Sequence, residues 1–106
     1  MTGLKETEIL EMRNIFKQFK DIKKVVLFGS RAKGNFKSGS DVDLCLIGDN
    51  IDFHTLVRVN FILNEETFMP YNFDVVNYND IKNTNLKKHI DVVGKCIYTN
   101  ELAITM

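Results

Sequence analysis

Ile9, Met12, Ile15, Phe16 and Phe19 recur at spacings of three and four among Glu, Lys and Arg, which predicts an amphipathic helix over about residues 6 to 20. Val25-Val26-Leu27-Phe28 is a short β-rich run closed by Gly29 and reads as a buried strand. Residues 29 to 40 hold three glycines and three serines, so they form a loop, with one helical turn from Ser30 to Lys33. Asp41 to Ile47 follows as a strand, stopped by the turn signal Gly48-Asp49-Asn50. Its period of two puts Asp41, Asp43, Cys45 and Ile47 on one face and Val42, Leu44 and Leu46 on the other.

Phe53, Leu56, Val57, Asn60, Phe61 and Leu63 predict a second long helix over about residues 53 to 67, ending before Pro70. Phe73-Asp74-Val75-Val76 reads as a third strand, with Asp74 on the face opposite Phe73 and Val75. Asn79 or Asp80 is a fitting N-cap for a further helix carrying Ile81, Leu86, Ile90 and Val93 and ending at Gly94 as a C′ glycine. Lys95 to Tyr98 makes a last short strand, and residues 99 to 106 a frayed tail. The order helix, strand, loop, strand, helix, strand, helix, strand predicts a single α/β (α+β) domain over residues 1 to 106, a small mixed β-sheet packed by helices.

Composition narrows the function classes. The 106 residues suffice for one hydrophobic core, and leave no length for a separate substrate-binding domain. Lys plus Arg (14) balances Asp plus Glu (14), so the chain lacks the global field that binds long nucleic acids or anionic membranes without specificity. Met1 to Glu6 turns polar at once and the longest early apolar run is Val25 to Phe28, which points to a cytoplasmic protein. Cys45 and Cys96 lie in apolar runs and read as reduced core thiols. Phe16, Phe19, Phe28, Phe53, Phe61, Phe68 and Phe73 read as core aromatics; Phe36, inside the polar loop, either anchors that loop or stacks on a base. His54 and His89 have no His-Glu-x-x-His or cysteine partner nearby and read as surface or helix-end residues.

Candidate chemistry gathers around the glycine-rich loop. A strand leading into Gly29-Ser30 and a helical turn suits an anion, because glycine lets the backbone approach closely and N–H groups at the turn can face phosphate oxygens. Arg31 and Lys33 add two cations within a few residues, suited to a triphosphate. Asp41 and Asp43 at alternate strand positions aim hard oxygen ligands at one point, as Mg²⁺ requires. The plain alternatives are an ordinary turn and a solvated strand end, although two aspartates on one strand face repel unless a cation or water intervenes. Asp74 repeats the oddity. Were its strand to lie beside that of Asp41, three carboxylates would converge, enough to hold two metal ions and accept a proton.

Gly29-Ser30, ten intervening residues and Asp41-x-Asp43 resemble the G-S-x10-D-x-D signature of the polymerase-β-like nucleotidyltransferases. Four such fixed positions recur by chance on the order of once per thousand chains this long. Leu27 to Gly34 and Gly39 to Leu44 are similar to the two blocks of the minimal nucleotidyltransferases. The resemblance implies NTP-dependent transfer of a nucleoside monophosphate, AMP from ATP, to an acceptor hydroxyl with two Mg²⁺ ions. It implies that Gly29 and Ser30, with Arg31 and Lys33, hold the nucleotide, and that Asp41, Asp43 and Asp74 bind metal and carry catalysis. Minimal members are paired with a helical HEPN-domain toxin that they silence by adding AMP, so a HEPN-type partner and a homo- or hetero-oligomer are expected.

Two rival readings stay open at this point. One is a nucleotidyltransferase-fold module, catalytically weak or inactive, that neutralises a helical partner by binding. The other is a piece of a small-molecule-modifying enzyme whose acceptor domain comes from another chain or a second copy.

Overall fold

The computed structural model describes residues 2 to 100. The expected tail therefore falls largely at positions 101 to 106, outside the described residues, and Thr99 belongs to the last strand. The elements are α1 (Glu6–Phe16), β1 (Lys24–Phe28), α2 (Ser30–Lys33), β2 (Val42–Ile47), α3 (Phe53–Glu65), β3 (Phe73–Asn77), a 3₁₀ turn (Tyr78–Asp80), α4 (Thr84–Val93) and β4 (Lys95–Thr99). No helix among the described residues is long and apolar enough to cross a membrane.

The strands form one sheet in the order β3-β2-β1-β4. β1 pairs antiparallel with both β2 and β4, whereas β2 and β3 run parallel, so a crossover must join them and α3 supplies it. Both sheet faces are covered. Val25, Leu27, Val42, Leu44, Leu46, Phe73 and Val75 meet Met12, Ile15 and Phe16 of α1 and Val59, Ile62 and Leu63 of α3 in the main core. On the opposite face Val26, Phe28 and Cys45 pack against Ile90 of α4, with Val76, Tyr78, Ile81 and Leu86 at the margin. The strand alternation read from sequence is thus the alternation between two cores.

Several expectations need correction. α1 ends at Phe16 because Gln18 N–H bonds to Ile15 O and Phe19 N–H to Phe16 O, tightening the chain into i to i+3 turns that lead it toward β1. α4 begins later than Asn79 or Asp80: residues 78 to 80 close as the 3₁₀ turn, and Asn83 is the N-cap, its Oδ1 accepting from Asn85 N and Leu86 N at 2.9 and 3.2 Å. Gly94 closes α4 with an ordinary φ of −59° rather than a left-handed one. Glycine is needed there for space, since a Cβ would overlap Ile90 O and Val26 Cγ1.

Burial also departs from the sequence reading. Phe53, Phe61 and Phe68 are exposed, and Val59, Ile62 and Leu63 form the buried face of α3. Cys45 is buried, its thiol pushed up to about 12 by burial and then by the Asp91 charge, but Cys96 is exposed on β4, an edge strand.

Candidate active site

The parallel register of β2 and β3 sets Asp43 directly beside Asp74. Asp41 lies two residues before Asp43, just ahead of β2, and is exposed. The carboxylates thus gather at the end of the sheet where β2 and β3 begin, on the face that α4 covers farther along. Asp43 is half-buried, and its carboxyl is raised above the ordinary carboxylate value first by burial, then by the charges of Asp74 and Asp41. The neighbouring charges of Asp74 and Asp41 thus disfavour the ionised form of Asp43, and a nearby cation would favour it.

Gly29 faces these carboxylates from β1, whose last residue, Phe28, pairs with Asp43. Gly29 has φ 77° and ψ −157°, a region closed to most side chains, and a Cβ on it would overlap the Asp43 carboxylate. Glycine is therefore demanded twice, by backbone conformation and by the approach of Asp43. Its N–H does not face an open anion site: it donates to His89 Nε2 on α4 at 2.9 Å. Ser30 opens α2, and its hydroxyl has no hydrogen-bond partner among the described residues. Lys33 is exposed on the last turn of α2 and likewise makes no ion pair there.

Arg31 departs from the expected phosphate contact. Its side chain is 3% exposed; Nε and Nη2 donate to Ser40 O at 3.2 and 3.0 Å, and Nη1 to Thr2 O at 3.0 Å. The guanidinium lies between the rings of Phe36 and Tyr71, 4.9 and 4.8 Å from their centroids. Arg31 thus ties the loop to the residue before Asp41. Phe36 is the loop anchor in this arrangement, which leaves its ring on Arg31.

Asn64 was not singled out by its sequence context. From α3 its Oδ1 accepts from Phe73 N at 2.8 Å and its Nδ2 donates to Phe73 O at 3.0 Å. This side chain takes the place of a neighbouring strand along the free edge of β3 and fixes the residue before Asp74. Nothing local marked it, since α3 also carries His54, Thr55, Arg58, Asn60 and Glu65. His89, expected at the surface, is half-buried and packs edge-on to Phe28 with centroids 6.2 Å apart. His54 is exposed on α3.

The donor set suits a hard divalent cation: carboxylate oxygens only, with mutual repulsion that such an ion would relieve. Among the described residues no three ligands are already gathered into a cage. A cation held here would draw the rest of its ligands from water or a bound phosphate, as Mg²⁺ commonly does. A concavity of about 880 Å³ lies elsewhere, between α1 and β4, lined by Leu10, Arg13, Lys17, Lys20 and Tyr98 among others. The candidate chemistry is sought at the carboxylates, because no aspartate, glutamate or histidine is among the residues lining that groove.

A family described as polymerase beta, nucleotidyltransferase matches residues 11 to 102. A stretch of 36 residues is 44% identical to a Methanocaldococcus jannaschii protein provisionally named a protein adenylyltransferase, covering 34% of this chain and 35% of that protein. The match thus spans about a third of that relative's length. A crystal structure of a toxin-antitoxin with AMP-PNP has a similar fold, with TM-score 0.70 and 20% identity over 94% of this chain and 77% of that one. The toxin-antitoxin MntA-HepT is similar with TM-score 0.68 and 15% identity over 93% and 76%. At these identities the likeness is one of fold.

Proposed function

This chain belongs to the polymerase beta nucleotidyltransferase family, and from that premise we propose that it transfers AMP from ATP to a hydroxyl of a partner protein, as the antitoxin of a HEPN-type toxin. The observation that carries the reading is the pairing of Asp74 with Asp43, which adds a third carboxylate to Asp41-x-Asp43 opposite Gly29-Ser30. The relative named for protein adenylyltransfer and the toxin-antitoxin neighbours, one with AMP-PNP, support the choice of nucleotide and partner.

In this reading the Ser30 hydroxyl and Lys33 bind the triphosphate, and Gly29 keeps the backbone close enough for it to sit against β2. Asp41, Asp43 and Asp74 hold Mg²⁺, which when bound neutralises phosphate charge and polarises the phosphoryl oxygens. Asp74, exposed at the edge of the carboxylate group, takes the proton of the acceptor hydroxyl. The acceptor oxygen forms a bond to the α-phosphorus, the bond from the α-phosphorus to the bridging oxygen breaks, and pyrophosphate carries the electron pair away. The site is open at the sheet end, so a protein side chain can reach it.

The test is label transfer from α-labelled ATP to a co-expressed helical partner, with intact-mass analysis of that partner. Addition of one AMP is expected, reduced about 100-fold or more by Asp41→Asn or Asp43→Asn. Transfer that survives both substitutions overturns the reading. A partner bound tightly but never modified favours neutralisation by occlusion instead.

A further inference from the structure

Gly29 continues β1 past the point where its neighbour can serve it. β4 begins at Lys95, which pairs with Leu27, so the ladder ends two residues short of Gly29. A backbone N–H left without a partner at a strand end is costly unless water or a side chain accepts from it. His89 Nε2 does so at 2.9 Å, from a residue 60 positions away. The imidazole is held firmly: its neighbour Ile90 is 2% exposed in the core formed by Val26, Phe28 and Cys45, and the ring itself abuts Phe28.

Building on the function proposed above, we infer that His89 is a positioning residue for the nucleotide-binding turn. Its acceptor nitrogen fixes the peptide plane entering Gly29. Gly29 cannot rotate freely on its other side, because the Asp43 carboxylate fills the space where a Cβ would be. Held between an imidazole and a carboxylate, the glycine delivers Ser30 in one direction relative to the acids. Release of the His89 bond lets that peptide turn and carries the Ser30 hydroxyl and the α2 amides away from the phosphates. The requirement is for an acceptor at this position, not for a ring.

Three variants separate positioning from bulk stability. His89→Gln keeps an acceptor on a side chain of similar reach, His89→Leu keeps volume without an acceptor, and Val59→Ala loosens the core on the other sheet face while leaving α4 and the imidazole in place; His89→Ala replaces the leucine variant if that one does not fold. Each is measured for Gly29 amide hydrogen exchange without ligand, for Tm, and for ATP affinity with Mg²⁺. We expect His89→Leu to lose Gly29 protection and to bind ATP about tenfold more weakly, as one net hydrogen bond would give. His89→Gln should stay within about threefold of wild type, and Val59→Ala should lower Tm at least as much as His89→Leu while keeping affinity. The inference is overturned if His89→Leu binds ATP as wild type does, or if affinity simply follows Tm across the series. A wild type that binds no nucleotide refutes the transferase reading; the positioning role is then decided by the Gly29 amide, upheld if protection is lost only without an acceptor and refuted if it persists.

Discussion

Asp43 shows how a candidate site can stand against the stability of the fold. Burial and the charges of Asp74 and Asp41 raise its carboxyl above the ordinary carboxylate value, so the folded chain holds that proton more tightly than the unfolded one. Stability then falls as pH rises from the unfolded value through the raised folded value, and the penalty is absent below both. Asp43→Asn should therefore stabilise the ligand-free protein near neutral pH, by about 0.2–1 kcal/mol as for a like-charge cross-strand pair, while removing transfer activity. Urea unfolding at neutral and acid pH checks this, the gain disappearing in acid. Arg31 makes the opposite case at the same scale. Arg31→Ala removes three bonds to carbonyl oxygens and two ring contacts, and should cost about 3 kcal/mol. Its thermal unfolding and nucleotide affinity should decline together, because the loop leading to Asp41 loosens; weak nucleotide binding at unchanged stability would restore Arg31 to the phosphates.

At the scale of elements, β3 is an edge strand whose register decides whether Asp74 reaches Asp43. Its parallel pairing with β2 supplies one side, and the two Asn64 bonds to Phe73 secure the other. Asn64→Ala should destabilise the protein by about 1–2 kcal/mol and selectively raise hydrogen exchange at Phe73, leaving the β1–β2 amides protected. Activity should fall further than stability, since the residue freed adjoins Asp74. The motif on β1 and β2 was legible from spacing because neighbouring strands joined by one loop keep its parts close. The contributions of α3 and α4 were not, because Asn64 and His89 carry no local signature and acquire their partners only when distant segments dock.

For the whole molecule, the candidate site is an open surface at one end of the sheet, where like charges gather and a bound cation would offset them. AMP-PNP with Mg²⁺ at about 100 times its dissociation constant should add about 2.7 kcal/mol, a rise of roughly 10–20 °C in Tm for a domain of this size. Chelation of the metal with EDTA, or Asp41→Asn, should remove most of that rise in a thermal scan. The sequence by itself determined the alternation of β2 between two faces, the glycine-rich turn, and the aspartate spacing, because each depends on local periodicity or on a φ that few residues adopt. Only the tertiary structure decided which stripe of α3 is buried, since that helix is apolar on several sides and the sheet selects Val59, Ile62 and Leu63 over Phe53 and Phe61. It likewise turned Arg31 inward between two rings, set Asp74 beside Asp43, and brought His89 to Gly29, for these depend on contacts between residues far apart in sequence.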